Sequence, residues 1–250
     1  MEKFYLNPKR LYAILKDKGI NHLFHSNTLL TSLTFIQQRA LLSRGYVSDQ
    51  GLPQTEQPSD PEDKLYNVWN DVFMDGQDLH KRYNRPNKYG PVLFVMKPEL
   101  LLMPELCPIL VTKVNPWYWK NYPAWEGRYF EDPEEIKEKY LTGKMMDSYC
   151  MFTLRSPEKT IKLNKFLQEI IVDKPGFKVV LRNTGEEKEL GIAVHDKLRA
   201  SLDENGLQQI PIRFRHADEK FTWCRCNWHY SQLKLLEKEE FAKRFKSSNK

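Results

Sequence analysis

The chain has 250 residues, 40% of them apolar, with 13 Phe, 12 Tyr and 6 Trp; that is ample core material and excludes both a disordered chain and a disulfide-stapled mini-protein. Lys and Arg number 39 against 33 Asp and Glu, a net +6 that permits an anionic partner without requiring one. Four cysteines in a chain of this size, and an N-terminus without an apolar segment leading to a small-residue cleavage site, point to the cytoplasm. The longest apolar stretches, such as PVLFVM and CPILV, fall short of the roughly 20 residues that span a bilayer, so no membrane partner is expected.

In chain order, NPKRLYAILKDKG predicts a helix with Leu11, Ile14 and Leu15 on one face, Pro8 in its first turn and Gly19 as its stop. A short apolar segment, 20–24, reads as a strand that ends at His25. The run SNTLLTSLTFIQQRALLSRG places Leu29, Leu33, Ile36, Ala40 and Leu41 on a 3.6-residue period, which predicts a helix closed by Gly45. Residues 46–64 form a polar loop rich in Asp, Gln, Ser and Pro. PVLFVMK reads as a buried strand with Tyr89 and Gly90 at its mouth, and PILVTKV as another. The aromatic-dense NPWYWKNYPAWEGRYF follows, then a Glu/Lys helix over 132–141.

In the second half, SPEKTIKLNKFLQEIIVD has an acid-rich start and an apolar stripe of Ile161, Phe166, Ile170 and Ile171, the pattern of an amphipathic helix. FKVVLRN, ELGIAVHD and QIPIRFR read as strands, the first two joined through a turn at Thr184 and Gly185. From Arg213 onward there are 10 basic and 5 acidic residues, so the basic bias is terminal. There is no internal repeat, no GxxxxGK[ST] loop and no GxGxxG after a strand. The expected fold class is α+β, with one domain over 1–215 and a basic C-terminal extension, 216–250, packed on it.

Several groups of residues have chemistry to offer. In GEEKELGIAV, an extended backbone would put Glu187 and Glu189 on one side, where two carboxylates suit a reaction that develops positive charge; an ordinary charged hairpin is the plainer reading of the spacing. His25 precedes Ser26, Asn27 and Thr28, a set able to grip ribose hydroxyls or an amide, or simply to cap the next helix. In DLHKRYNRPNKYG, His80, Lys81, Arg82, Arg85 and Lys88 lead to Tyr89: arginine forks fit a pyrophosphate and a tyrosine face stacks on a flat ring, while a solvated basic loop is the plainer alternative. Trp117, Trp119, Tyr122 and Trp125 interleave with Lys120, either as base-stacking surfaces or as a clamp over the core. Cys224, Cys226 and His229 supply three metal-ligand types, but C-x-C is not the usual zinc spacing and the run also fits a strand, so no metal is assigned.

The order and type of LFHSNTLLTSLTFIQQRALLSRG, KYGPVLFVM and EEKELGIAV together resemble the ADP-ribosyltransferase family over roughly residues 20 to 215. The resemblance is closest to the DarT-like toxins that modify nucleic acid, and among these to the messenger-RNA-modifying enzyme of CmdTAC-type anti-phage toxin–antitoxin systems. It implies mixed and antiparallel sheets around an NAD cleft with flanking helices, and NAD as co-substrate. It also implies an RNA or single-stranded DNA acceptor, an antitoxin and a chaperone partner. By the same resemblance, His25 with Ser26 and Asn27 would hold NAD through its ribose, and Tyr89 would pack on the nicotinamide. Glu189 would be the catalytic glutamate, with Glu187 two residues before it. Arg82, Arg85 and Arg44 compete for the family's arginine, the first two favoured for their place beside the cleft. Glu187 departs toward enzymes that modify protein arginines, which keeps a protein acceptor open. A noncatalytic nucleic-acid-binding protein would use the basic tail and aromatic stretch alone.

Overall fold

The computed structural model describes residues 2–83, 85–106, 109–140, 151–155, 158–181, 184–215 and 226–248. After helix α1 (Pro8–Asp17) come β1 (Leu23–Asn27), α2 (Leu29–Gln37), β2 (Ala40–Leu42), α3 (Arg44–Asp49), α4 (Asp60–Leu65), β3 (Val72–Asp75), α5 (Leu79–Tyr83) and β4 (Val92–Met96). Then follow β5 (Ile109–Thr112), α6 (Trp125–Arg128), α7 (Pro133–Tyr140), β6 (Met151–Leu154), β7 (Thr160–Lys162), a single turn α8 (Leu163–Phe166) and β8 (Leu167–Val172). The chain continues through β9 (Lys178–Val180), β10 (Glu187–Glu189), α9 (Leu190–Glu204), β11 (Ile212–Phe214), α10 (Cys226–Leu236) and α11 (Lys238–Phe245).

Seven strands make one mixed sheet in the order β11-β8-β4-β1-β3-β6-β5. Every neighbouring pair is antiparallel except β11 with β8. Two short antiparallel ribbons, β9 with β10 and β2 with β7, stand beside it. Helices α2 and α9 pack on each other, and α9 also packs on β8 and β11. The main core lies between this layer and the sheet, with Leu23, Phe94, Phe152, Ile170, Phe35, Val194 and Leu198 buried together. The architecture is α+β, as the pattern of the sequence implied.

Four elements differ from expectation. The first strand runs from Leu23 to Asn27, so His25 sits in its middle rather than at its end. The helix predicted to reach Gly45 stops at Gln37; Arg39 turns the chain at φ +53° into β2, whose Ala40, Leu41 and Leu42 are all buried. Those residues continued the helical period by coincidence. Segment 158–173 is not a helix but β7, one helical turn and β8. Periodicity misleads there because Ile170, Ile171 and Val172 are all buried, a central strand covered on both faces. Conversely, ELGIAVHD enters a helix: Leu190, Val194, Leu198 and Leu202 recur every four residues and are all buried, a series visible only over a longer window. Strands β3 and β6 have no counterpart among the predicted elements.

The C-terminal helices dock on this body. Phe241 and Phe245 of α11 pack against the main core, and the Tyr230 ring of α10 meets Phe245 edge-on at 5.4 Å. Beneath them, Arg215 donates from Nε to Asp173 at 2.7 Å and from Nη1 to Asp78 at 2.5 Å. The Tyr230 hydroxyl donates to the other Asp173 oxygen at 2.7 Å.

Candidate functional site

Strands β1 and β3 are in register at a single pair, Phe24 opposite Asp75. Beyond it they part, and His25 bridges the gap: its Nδ1 donates to the Phe73 carbonyl at 2.7 Å. That bond leaves the Nε2 lone pair to accept from Asn27 Nδ2 at 3.4 Å. Burial among Phe35 and Phe94 holds the imidazole pKa below its ordinary value, against the opposing pull of the Phe73 carbonyl. His25 is therefore a neutral ring fixed in one tautomer.

The parting opens an inner chamber of about 100 Å³, lined by Phe24, His25, Ser26 and Asn27 on one side and Val72, Phe73 and Asp75 on the other. Tyr89 and Asn115 stand between it and an outer chamber of about 620 Å³, since both residues line both. The outer volume lies within the range of about 300–1,000 Å³ usual for small-molecule sites. Gly90 sets the position of Tyr89. It adopts φ +147°, and an added Cβ would collide with the Asn27 carbonyl, so only glycine lets this backbone press on the end of β1. Ser26 Oγ fastens the contact by donating to the Gly90 carbonyl at 3.1 Å. Burial pushes the Tyr89 pKa up to about 12, so its hydroxyl stays protonated.

Threonines hold the other wall. Thr28 caps α2 and shares a 2.8 Å hydrogen bond with Thr55; Thr31 Oγ1 accepts from the Thr55 amide and Thr34 Oγ1 donates to the Pro53 carbonyl. The segment predicted as a polar loop is thus pinned along α2, and α3 and α4 occupy its two ends. Arg44 completes the clamp, with Nε and Nη2 on Asp60 at 3.0 and 2.5 Å and Nη1 on the Thr55 carbonyl at 2.8 Å.

The outer chamber mixes cations and aromatic faces. Lys88 sits 5.2 Å from the Trp117 ring and Arg85 the same distance from Tyr83. Tyr118, Lys243 and Arg244 share the wall with Glu237 and Glu240. Arg244 donates to the Asn87 carbonyl at 2.7 Å while its Nε is buried without a hydrogen-bond partner.

Of the predicted residues, His25, Ser26, Asn27, Tyr89 and Arg44 come together around the inner chamber, and Arg85 lines the outer one. Arg44 is spent on Asp60 and Thr55, which suits it to positioning the wall. Arg82 lies on α5, and its side chain is outside the described set. Glu187 and Glu189 line neither chamber. Glu187 is exposed and paired with Lys178 at 3.0 Å; Glu189 Oε1 caps α9 by accepting from the Gly191 amide at 2.9 Å, and its Oε2 is buried without a partner. The two carboxylates belong to a ribbon beside the main sheet, so their spacing did not bring them to His25.

The aromatic stretch divides: Trp119 is fully buried with Phe4 and Tyr129, and Trp125 stacks on Tyr129, whereas Trp117 and Tyr118 face the outer chamber. Cys224 of the proposed metal trio lies outside the described residues. Cys226 Sγ instead sits 3.3 Å from His80 Nε2 in the buried interior.

Sequence reasoning missed Asp63, Asp75 and Asn115, and the helix α11 contribution of Lys243 and Arg244. Burial, reinforced by like charge, raises Asp63 to about 7 and Asp75 to about 8; Asp60 is the main neighbour in the first case and Asp78 in the second. The threonine stripe 28, 31, 34 was the one readable signal, since three hydroxyls on one face of an apolar helix need partners. No protein-family model and no curated protein matches the chain.

Proposed function

We propose that the two joined chambers are an NAD cleft and that the protein is a mono-ADP-ribosyltransferase acting on nucleic acid. The observation that carries this reading is the convergence of His25, Ser26 and Asn27 with Tyr89, from distant stretches of chain, at the parting of β1 and β3. The fit is chemical. A narrow chamber walled by Phe24, Phe35 and Tyr89 suits a flat ring, Asn27 and Asn115 offer amide hydrogen bonds, and Arg85, Lys88 and Lys243 offer charge to a diphosphate in the outer chamber.

When bound, NAD supplies an electrophilic ribose carbon and nicotinamide as a neutral leaving group; the acceptor's nucleophile takes its place and gives its proton to solvent. Tyr89, fixed by Gly90, would hold the ring against the chamber wall. His25, neutral and fixed by Phe73, would orient the ribose through Asn27. Tyr118, 54% exposed, and Trp117 beside Lys88 would receive an unstacked base at the mouth.

The test is nicotinamide release from NAD labelled in its adenylate, with RNA, single-stranded DNA or protein present. Release with label retained on RNA or DNA is expected, and Tyr89→Ala should lower it about 10–100-fold through lost orientation. Absence of release with every acceptor would overturn the reading. Salt-sensitive RNA binding without NAD loss would favour a second one, a binding protein, for which the exposed Tyr118 and Trp117 pair is the supporting observation. Glu189→Gln decides whether the capping carboxylate also takes part; from its place outside both chambers, release should persist.

A further inference from the structure

The inner chamber has one feature the proposed reading does not use. Asp75 ends β3 at the point where the strands part, opposite Phe24, and its Oδ1 is buried with no hydrogen-bond partner among the described residues. A buried carboxyl oxygen left unpaired costs stability, and one that lines a chamber is placed where a ligand can meet it.

The charged and titratable groups around it leave it uncompensated. Arg44 of α3 is paired with Asp60. Asp71, ahead of β3, takes the Arg155 guanidinium at 2.7 and 3.0 Å. His25 on β1 is held neutral, and Tyr89 ahead of β4 keeps its proton. Asp78, after β3, is bonded to Arg215. Asp63 on α4 accepts from Ser59 Oγ at 3.4 Å. Among the described residues the lining thus offers three carboxyls whose pKa burial raises, Asp63, Asp71 and Asp75; Asp71 is held by Arg155, and the one lining cation, Arg44, is already committed.

We propose that Asp75 makes the inner chamber selective for a positively charged heteroaromatic ring over a neutral one of the same shape. Resting on the NAD reading, this identifies the oxidised nicotinamide as the favoured ring and the reduced one as rejected. An empty chamber keeps the carboxyl protonated and so avoids a bare buried anion. A cationic ring displaces that proton to solvent and meets the carboxylate in a dry site, where opposite charges interact strongly. A neutral ring gains nothing from ionisation. Affinity for the cation therefore rises with pH up to about 8, where the empty carboxyl ionises by itself.

The probes are 1-methylnicotinamide, methylated on its ring nitrogen and so a permanent cation, and nicotinamide, its neutral analogue, measured by calorimetry between pH 6 and 9 in two buffers of different protonation enthalpy. The expected result is a cation affinity at least fivefold higher at pH 8.5 than at pH 6.5, with proton release at pH 7 and a flat profile for nicotinamide. Asp75→Asn, which mimics the neutral acid, should remove the pH step and the preference while keeping nicotinamide binding; Glu187→Gln, on the exposed ribbon outside both chambers, should keep both. Proton release is read on the wild-type protein, so it stands independently of how the variants fold. Equal binding of the two probes, binding of neither, or a pH step that survives Asp75→Asn would overturn the proposal. A cation preference without NAD consumption would instead leave selectivity standing and remove the transferase reading.

Discussion

Two buried sites handle carboxylates in opposite ways. At the junction under the C-terminal helices, Asp78 and Asp173 share Arg215, and Tyr230 satisfies the remaining Asp173 oxygen. At the parting of β1 and β3, Asp75 is only half-buried, but its Oδ1 is enclosed and meets no cation among the described residues, and burial raises its pKa to about 8. The first arrangement holds the fold together. The second leaves a carboxyl oxygen open toward a chamber, where a bound group can meet it.

Breaking the paired site should have the largest effect. Arg215→Met leaves two buried carboxylates uncompensated, for an expected loss of about 3–5 kcal/mol, on the order of 10 °C in melting temperature by calorimetry. The unpaired site should respond to pH instead. Its folded-state pKa is raised, so its contribution is complete below the ordinary carboxylate range, falls as pH rises, and is gone above about 8. Wild-type stability should drop by about 1 kcal/mol between pH 7 and 9, and Asp75→Asn should flatten that slope. Smallest is Glu187→Gln on the exposed ribbon, expected to shift stability by less than about 0.5 kcal/mol in denaturant titration, because its ion pair with Lys178 is solvated.

These differences also show what was legible beforehand. Helix α1 was readable because its burial follows the helical period, and strand β4 because it is a short, continuously buried apolar run between Gly90 and Pro98. Strand β8 imitated a helix because it is covered on both faces, and α9 imitated a strand because its four-residue series outlasts the window that suggested an extended segment. Among site residues, His25, Ser26, Asn27 and Tyr89 stood out as polar or aromatic groups at the borders of apolar runs, and they meet. Glu187 and Glu189 stood out as strongly and line neither chamber, because their ribbon lies beside the sheet. Asp63 and Asp75 carried no signal at all: nothing local separates an Asp on a helix or at a strand end that faces a cavity from one that faces water.

The amino-acid order by itself determined an α+β chain with a substantial core, a basic C-terminal end, and a histidine and a tyrosine beside two apolar strands. Those follow from composition and local periodicity, which act over a few residues. Only the tertiary structure decided that β1 and β3 separate after one pair, that Gly90 presses Tyr89 against the opening, and which carboxyls share a cation. Strand partners and buried charge pairs are set between segments up to 137 positions apart in the chain, as Arg215 and Asp78 are, and no local pattern encodes them.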